Sequence, residues 1–305
     1  MKPKILIIGG TGFIGYHVAR IALKKRWHVT SISLNKPKKY RLFSKVNYIK
    51  VNIANLEDLK KKVTGSYDYV LNLGGYVDHS KSEKRKKKIF NEHYIGLVNL
   101  SKIFLKKKIK GFIQVGSSSE YGKFRAPHYE WLACKPKSFY SSAKLKATKY
   151  SLQLFKRYNF PITVLRFYLV YGPKQDDNRF ISNIIQGCIN NKKFPCSKGD
   201  QLRDFCYIDD VTKSIFLCFK QKKARGEIFN IGSGKPIKIK KLINYIHNKI
   251  GKGFPQYGIT KYRDDEVLKF YPNIKKASLK LGWKPKISLI DGLNKTIKYY
   301  YAEKS

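Results

Sequence analysis

Tyr140 and Lys144 stand four positions apart in the segment SFYSSAK, residues 138 to 144, with only serine and alanine between them. On a helix this spacing places both side chains on one face. A free tyrosine has a pKa of about 10, and lowering that pKa to about 7 requires roughly 4 kcal/mol of preference for the phenolate. An ammonium group about 4 Å away supplies about that much at an effective dielectric of about 20. The spacing therefore predicts a tyrosine that exchanges protons near neutral pH.

The same spacing can arise on a basic surface helix, because the chain holds 22 tyrosines and many lysines. The segment GSSSEYG, residues 116 to 122, favours the catalytic interpretation, since it lies at the end of a predicted parallel strand. Carboxyl ends of such strands are where ligands bind in open α/β sheets.

Three glycines, Gly9, Gly12 and Gly15, connect the first apolar strand to a long amphipathic helix in the segment GGTGFIG. Glycine permits a tight turn, close approach of backbone N–H groups to a pyrophosphate, and close packing of the helix on the strand. The helix N-terminus adds a favourable field for negative charge. A plain strand-to-helix turn is the alternative, but the position of the segment predicts a dinucleotide site.

Short apolar runs alternate with helix-length segments along the first half of the chain. This pattern predicts a doubly wound α/β fold, Rossmann-like, with a parallel sheet covered on both faces. Six runs are predicted as strands: residues 5–9, 28–33, 47–52, 68–74, 111–117 and 162–167. We expect residues 1–172, together with 204–232, to form the dinucleotide-binding domain, and residues 173–203 and 233–305 to form a smaller substrate-binding lobe.

The formal charge of +44 raises the question of nucleic-acid binding. Only eleven of the 64 basic side chains are arginine, and the lysines are spread along the chain. This distribution argues against a dedicated nucleic-acid function, although the field favours an anionic ligand such as a nucleotide diphosphate. The five cysteines lack the close pairing of a metal site or a disulfide framework, so we expect reduced thiols and no metal. Since no apolar run is long enough to span a membrane and no signal peptide is evident, we expect a cytoplasmic protein.

The chain resembles the extended short-chain dehydrogenase/reductases that act on nucleotide-linked sugars, a family often named NAD-dependent epimerase/dehydratase. The resemblance rests on GGTGFIG, GSSSEYG, YSSAK, LRFYLVYGP, QLRDFCYIDD and LGWKPKI, in the family's order and spacing over nearly all 305 residues. It implies Tyr140 as the acid/base and Lys144 as its partner and a ligand of the nicotinamide ribose. It also implies Ser117 as the hydroxyl that bonds the substrate oxygen, with Ser118 and Ser119 beside it at the substrate.

For the diphosphate and base of a nucleotide-diphospho-sugar, the resemblance points to Arg179, Arg203 and Arg263 in the second lobe. Guanidinium groups bind phosphate oxygens bidentately, which suits this assignment. Surface salt bridges are the alternative, with Asp204 and Asp264 as the neighbours of the latter two arginines.

The chain departs from the family pattern at several positions. Ser118 and Ser119 stand where the sugar 4,6-dehydratases have acidic residues, and Glu120 comes one position late, so dehydration is disfavoured. Leu169 replaces an asparagine that often contacts the diphospho-sugar. His93 also replaces an asparagine, and is either a cofactor contact or a helix-packing histidine. Because no histidine directly follows LRFYLVYG, epimerisation at C3 and C5 has little support.

The second predicted strand lacks a terminal carboxylate. In NAD-selective members of the family an Asp or Glu there holds the adenosine ribose hydroxyls and would repel a 2′-phosphate. Here Ser33 takes that place, and no carboxylate occurs from residue 31 to residue 39. Ser33 and Asn35 can donate hydrogen bonds, while Lys36, Lys38 and Lys39 offer positive charge, although they also match the general lysine excess. We therefore expect NADP(H) to be favoured, with NAD(H) as the alternative. The expected cofactor contacts are Gly9, Thr11, Gly12, Phe13, Ile14, Gly15, Ser33, Asn35, Lys36, Asn52, Ile53, Leu73, Gly74, Gly75, Tyr140 and Lys144.

These features predict an oxidoreductase that passes hydride between a nicotinamide cofactor and C4 of a nucleotide-linked hexose. A 4-keto-6-deoxy-sugar nucleotide reductase is the first choice, and a 4-epimerase with tightly bound NAD is the alternative. The alternative from another class is a non-catalytic dinucleotide- or RNA-binding protein, against which the intact Ser117, Tyr140 and Lys144 set argues. The resemblance also implies a homodimer formed through helices at about 89–108 and 139–158.

Overall fold

A central parallel sheet begins with β1 (Lys4–Ile8), whose aliphatic side chains are buried because helices cover the sheet on both faces. The computed structural model describes residues 2–75, 82–262 and 266–303. Its further strands are β2 (His28–Ser33), β3 (Val46–Lys50), β4 (Tyr69–Asn72), β5 (Gly111–Ser117), β6 (Ile162–Phe167), β7 (Leu169–Tyr171), β8 (Lys193–Pro195), β9 (Leu202–Arg203), β10 (Phe205–Tyr207), β11 (Ile228–Ile231), β12 (Ile237–Lys238), β13 (Phe254–Gln256) and β14 (Lys269–Phe270). Its helices are α1 (Phe13–Lys24), α2 (Leu56–Lys62), α3 (Glu83–Phe90), α4 (Gly96–Phe104), α5 (Phe139–Tyr158), α6 (Phe180–Ile189), α7 (Ile208–Lys220), α8 (Ile239–Ile250), α9 (Lys275–Leu281) and α10 (Leu289–Ala302).

The central sheet has the order β11-β6-β5-β4-β1-β2-β3, and its neighbouring strands pair in parallel. Chain order reverses between β1 and β4, so the carboxyl ends of these two strands define the switch point at which such folds bind ligands. The predicted fold class, a doubly wound parallel sheet, is confirmed. All six predicted strands occur: three have the predicted ends, and the ends of the other three differ by one or two residues.

The two helices predicted to form a dimer interface agree with the structure to different degrees. The helix over residues 139–158 is confirmed as α5, because Ser138 caps its start by accepting from the Ser141 N–H at 3.1 Å and Asn159 ends it in the left-handed conformation. The helix predicted at 89–108 is wrong in its bounds. The helical segment begins at Glu83, a π turn over Asn91–Ile95 interrupts it, and α4 ends at Phe104.

A second core lies beside the central sheet. Its buried side chains come mainly from α6, α8 and α10, with Phe205 and Tyr207 of β10. Short strands accompany it, since β8 pairs with β13 and β9 lies between β12 and β14. Ala277, Leu281 and Trp283, within the range predicted for the smaller lobe, pack into the core of the central sheet.

The segment LGWKPKI is fixed to the start of α7. The indole N–H of Trp283 donates to the Asp210 carbonyl oxygen at 2.9 Å. The backbone N–H groups of Lys286 and Ile287 both donate to the Asp210 carboxylate at 2.9 Å. This buried carboxylate therefore holds the chain where it passes from the central sheet to α10.

Within the described ranges, no helix combines the length and apolar character that a membrane span requires. The same residues contain no group of three His, Cys, Asp or Glu side chains that could hold a metal ion. The five cysteines are free thiols, and four of them are buried.

Candidate active site

A cavity of about 960 Å³ opens where β1, β4, β5 and β6 end. One wall is the glycine turn that follows β1. Other walls are formed by the start of α5, by residues 167–171 and 175–181, and by residues of β9, β10 and β14. The cavity therefore joins the switch point of the central sheet to elements of the second core.

Backbone constraints shape the glycine turn. Gly9 has a φ of +77°, in the left-handed region that favours glycine. A Cβ on Gly15 would lie 2.5 Å from both the Gly10 Cα and the Gly9 carbonyl oxygen, so only glycine lets α1 start this close to β1. Gly12 is the N-cap of α1 and offers no side-chain cap, which leaves the first N–H groups of the helix to a ligand. These features fit the pyrophosphate of a dinucleotide.

The predicted cofactor residues divide into two groups. Those that line the cavity are Gly9, Gly12, Phe13, Ile14, Gly15, Leu73, Gly75, Tyr140 and Lys144. Those that are not among its lining residues in the described chain are Thr11, Ser33, Asn35, Lys36, Asn52, Ile53 and Gly74. Ile53 and Gly74 support the wall from behind, because a Cβ on Gly74 would lie 2.9 Å from the Ile53 Cδ1 atom.

The structure brings the three predicted catalytic side chains together. Ser117 is the last residue of β5, and its side chain is hydrogen-bonded to Tyr140, which is 7% exposed. Lys144 is buried one helical turn further along α5, and its Nζ donates to the Val115 carbonyl oxygen at 2.9 Å. All three side chains line the cavity.

Burial dominates the acid–base behaviour of this pair. Desolvation raises the pKa of Tyr140 to about 12, while its hydrogen bond with Ser117 acts in the opposite direction. Desolvation also lowers the pKa of Lys144 to about 8. The prediction that Lys144 lowers the pKa of Tyr140 is therefore wrong for the protein by itself. Its ammonium group is bound to Val115 and lies 6.0 Å from the Tyr140 ring centroid. At neutral pH Tyr140 is a protonated phenol.

Glu120 has a structural task. It is fully buried, and its Oε1 accepts from the Ser117 backbone N–H at 2.8 Å, completing a capping box at the end of β5. Its Oε2 pairs with the Nε of the buried Arg166 at 2.9 Å. Ser118 and Ser119 line the cavity, whereas Glu120 is not among the lining residues of the described chain. Glu120 is thus held away from a substrate.

The substrate side of the cavity contains two of the three predicted arginines. Arg179 is exposed at the start of α6, and Arg203 is partly buried in β9. Arg263 lies outside the described residues. Arg203 pairs with Glu266, and its guanidinium lies 6.0 Å from the Phe270 ring centroid.

Asp204, the neighbour named in the alternative of a surface salt bridge, does not pair with Arg203 in the described chain. The Asp204 carboxylate accepts from the Ser233 backbone N–H at 2.6 Å and from the Ser233 hydroxyl at 2.8 Å. Asp204 therefore ties β9 to the turn after β11 and leaves Arg203 on the cavity side.

Charge at the end of β2 is partly neutralised. Ser33 ends the strand, and its hydroxyl is buried with no hydrogen-bond partner within the described chain. The Asp176 carboxylate pairs with Lys38 at 2.9 Å and with the buried Arg41 at 3.1 Å. Asn35 and Lys36, both exposed, follow the strand. Sequence reasoning missed Asp176, since its partners lie more than a hundred positions earlier in the chain.

The sequence left the role of His93 open between a cofactor contact and helix packing. In the structure His93 lies at the cavity and also packs against neighbouring residues. It lies in the π turn and lines the cavity, and its ring centroid is 5.1 Å from that of Tyr140 in an edge-on arrangement. A Cβ on Gly75 would lie 2.2 Å from the imidazole, so a glycine at this position makes room for the ring. Tyr168 and Phe270, further lining residues, were also missed: Tyr168 lies in the segment LRFYLVYGP, but no role was assigned to it.

A dinucleotide-type glycine turn at a sheet switch point, facing a tyrosine and a lysine on one helix, defines the short-chain class of nicotinamide-dependent oxidoreductases. Comparison with known proteins narrows the class. The chain belongs to the NAD dependent epimerase/dehydratase family, whose model matches residues 5–232. The resemblance inferred from the sequence motifs is therefore confirmed, and with it a nicotinamide dinucleotide as the cofactor of the family.

A putative UDP-glucose 4-epimerase of Methanocaldococcus jannaschii is 29% identical over 97% of this chain and 97% of the relative. The structure of a UDP-glucose 4-epimerase from Thermotoga maritima with UDP-glucose covers 99% of this chain and 100% of that chain, with a TM-score of 0.91 and 26% identity. A UDP-glucuronic acid 4-epimerase from Bacillus cereus, solved with UDP-glucuronic acid and NAD, covers 98% and 99%, with a TM-score of 0.87 and 27% identity. Further relatives are named as a decarboxylase and a dehydratase, so the family includes several reactions on nucleotide sugars.

Proposed function

We propose that this protein transfers hydride between a nicotinamide dinucleotide and C4 of a nucleotide-linked hexose. One observation carries the proposal: Ser117, Tyr140 and Lys144 line the same cavity as the glycine turn, Arg179 and Arg203. The cavity volume of about 960 Å³ is at the upper end for small-molecule sites, as expected for two nucleotides.

In this proposal, each group of lining residues has its own chemical role. The glycine turn and the start of α1 hold the pyrophosphate. A bound nicotinamide supplies or accepts the hydride. Tyr140 is protonated at neutral pH, so it donates its proton to O4 as the C4 carbonyl is reduced, and Ser117 donates a hydrogen bond to the same oxygen. To stabilise the phenolate that remains, the Lys144 ammonium would have to turn from the Val115 carbonyl oxygen towards Tyr140 when the cofactor is bound.

Reduction of a 4-keto-6-deoxy-sugar nucleotide by NADPH is the first candidate. Two properties of this chain support it. Tyr140 is in its acid form, which is the form that a carbonyl reduction consumes. Ser33 stands where a carboxylate would repel a 2′-phosphate. Because Lys38 is paired with Asp176, its positive charge is less available to a 2′-phosphate. The missing carboxylate at Ser33 is therefore the stronger support for NADPH.

Epimerisation at C4 with retained NAD is the second candidate. It is favoured by the names of several relatives, among them the UDP-glucose 4-epimerase and the UDP-glucuronic acid 4-epimerase described above. In that reaction C4 loses a hydride and regains it on the opposite face, so Tyr140 would have to act as base and acid in turn.

One experiment separates the candidates. Purified protein is incubated with NADPH or NADH and a panel of nucleotide-4-keto-6-deoxysugars, and in parallel with UDP-glucose and UDP-glucuronic acid without added cofactor. We expect net oxidation of NADPH with a 4-keto substrate. Conversion of a UDP-sugar to its C4 epimer without net cofactor oxidation would replace the reductase by the epimerase. Inactivity in both arms, with bound cofactor demonstrated, would overturn hydride transfer at C4.

We also propose a homodimer that pairs α4 and α5 of two copies. Partly exposed apolar side chains support it, among them Val98 of α4, Leu152 of α5 and Leu105, which directly follows α4.

A further inference from the structure

A buried carboxylate contacts the end of β5. β4 ends at Asn72, opposite Gln114, so the last part of β5, as far as Ser117, has no residue of β4 beside it. The Ser117 backbone N–H, at this end, donates to the Glu120 Oε1 atom at 2.8 Å. Glu120 therefore satisfies a backbone donor where the neighbouring strand no longer can.

The Glu120 carboxylate is itself fixed by β6. Its Oε2 atom accepts from the Nε of Arg166 at 2.9 Å, and both side chains are buried. Arg166 stands opposite Gly116 in the register of β5 and β6. A Cβ on Gly116 would lie 2.7 Å from the Glu120 Oε1 atom, so this glycine leaves the space in which the carboxylate reaches the strand. The ion pair therefore links β6 to the last residue of β5.

The Ser117 hydroxyl has hydrogen bonds of its own. It accepts from the Ser119 backbone N–H at 3.2 Å, lies 2.8 Å from the Ser119 hydroxyl, and is bonded to Tyr140. The direction of the Ser117 Cα–Cβ bond is set by the backbone that Glu120 holds. Because hydrogen bonds between hydroxyl groups form over only about 2.5–3.0 Å, a small rotation of that backbone would break the contact with Tyr140.

We propose that Glu120 is a positioning residue, which keeps the Ser117 hydroxyl directed at Tyr140 by holding the Ser117 backbone N–H. The catalytic consequence rests on the proposed function, in which Ser117 and Tyr140 act on the same substrate oxygen. Displacement of a reacting group by about 1 Å can lower a rate by about 10²-fold. Glu120 acts through Ser117, since it is fully buried and is not among the cavity-lining residues of the described chain.

Two double variants isolate the contact between Glu120 and Ser117. Removal of the carboxylate alone would leave Arg166 as an unpaired buried charge, which is strongly destabilising, whereas replacement of a whole buried ion pair is often tolerated. Glu120→Gln with Arg166→Met removes both charges and keeps an oxygen that can accept from the Ser117 N–H. Glu120→Leu with Arg166→Met removes both charges and that acceptor. The two double variants therefore differ mainly in the contact that the proposal concerns.

Crystal structures of the two double variants without substrate give the first measurement. We expect the hydrogen bond between Ser117 and Tyr140 to persist in the glutamine variant and to be broken in the leucine variant. Steady-state kinetics, with the nucleotide sugar that the wild type converts, give the second. The leucine variant should have a kcat about tenfold or more below that of the glutamine variant. Addition of Ser117→Ala to both should remove the difference, because no hydroxyl is left to be positioned.

Several results would overturn the positioning role. One is a leucine variant that keeps the hydrogen bond between Ser117 and Tyr140, and another is an equal kcat in the two double variants. A difference in kcat that survives Ser117→Ala would show that Glu120 acts by another route.

Two further outcomes are also informative. If the leucine variant does not fold, hydrogen exchange of the wild type decides: the Ser117 amide hydrogen should be protected, and exchange as fast as that of an exposed amide would overturn the proposal. If the wild type converts no nucleotide sugar, the proposed function fails, while the two crystal structures still decide whether Glu120 positions Ser117.

Discussion

At Tyr140 burial and catalysis impose opposite demands on one hydroxyl group. The phenol is held protonated by desolvation, yet it must part with its proton during turnover. Tyr140→Phe should reduce turnover by roughly 10²-fold or more, the range for a positioned acid, and leave the dissociation constant of the cofactor nearly unchanged. Steady-state rates and fluorescence titration of the cofactor measure the two quantities.

Tyr150→Phe is the control for this change. Tyr150 lies on the same helix and is hydrogen-bonded to the Ser101 hydroxyl at 2.8 Å, outside the cavity lining. It should keep wild-type turnover. A Tyr140→Phe protein as active as the wild type would remove Tyr140 from the mechanism.

Lys144 is a buried cation whose folded pKa, about 8, lies below its unfolded value of 10.5. The unfolded chain therefore binds more protons between these two pH values, and stability rises with pH across that window. Below about pH 8 the buried charge costs roughly 3 kcal/mol, from 1.36 kcal/mol per pKa unit. Lys144→Met should remove that cost, offset by about 1 kcal/mol for the hydrogen bond lost at Val115.

We therefore expect Lys144→Met to have a higher free energy of unfolding than the wild type at pH 7, with the difference shrinking as pH approaches 10. Urea unfolding at several pH values measures it. Lys146→Met, which removes an exposed lysine from the same helix, is the control variant. A Lys144→Met protein that is less stable than the wild type by the same amount at every pH would contradict the assignment of a buried ammonium.

Single residues were predictable where the signal is local. Short motifs were enough to predict that Tyr140, Lys144 and Ser117 come together at one cavity, because one helix turn and one strand end fix their positions. The pairing of Arg203 with Glu266 was not predictable, since these residues lie 63 positions apart in the chain. The pKa of Tyr140 was mispredicted for a related reason: spacing says where Lys144 stands on the helix but not that its ammonium turns to the Val115 carbonyl.

At the level of secondary-structure elements, we propose that the residue at the end of β2 sets the preference between NADPH and NADH. Ser33→Asp should reverse the preference from NADPH to NADH, because a carboxylate at this strand end binds ribose hydroxyls and repels a 2′-phosphate. The ratio of kcat/KM for the two cofactors measures the preference. Ser44→Asp introduces the same charge in the exposed part of the following loop and should leave the ratio unchanged. A wild type that already prefers NADH would refute the premise.

The interrupted helix before β5 shows where element prediction fails. Apolar spacing from residue 89 onward fits a regular α-helix, and the run of basic residues before it has no apolar period. The structure nevertheless starts the helix at Glu83, because lysine and arginine favour helix even without a buried face. The π turn at Asn91–Ile95 adds a residue to one turn, and no local pattern announces it. It brings His93 against Gly75 and Tyr140, contacts that exist only after β4 and α5 are in place.

For the whole molecule, we expect a dimer whose strength depends on salt. Lys102, Lys146 and Lys149 are exposed on α4 and α5, so pairing these helices brings like charges together. Light scattering at micromolar concentration should give a dimer mass, with a larger dimer fraction at higher ionic strength. Leu105→Asp, at a side chain 38% exposed on the proposed face, should shift the mass towards monomer.

Leu279→Asp is the matched change for the dimer test, because Leu279 is 83% exposed on α9, away from α4 and α5. It should leave the mass unchanged. A monomer mass for the wild type at all ionic strengths would contradict the proposed interface.

The position of β11 in the sheet has a consequence for how the chain is made. β11 pairs with β6, although about 60 residues separate them in the chain. Ribosomes add about 5–20 residues per second, so β6 waits on the order of 3–12 s for its outer neighbour. During that interval its backbone N–H and C=O groups form an open edge that a second nascent chain on the same messenger can pair with. A pause in translation between these two strands would therefore lower the yield of folded protein while leaving the activity of each finished molecule intact.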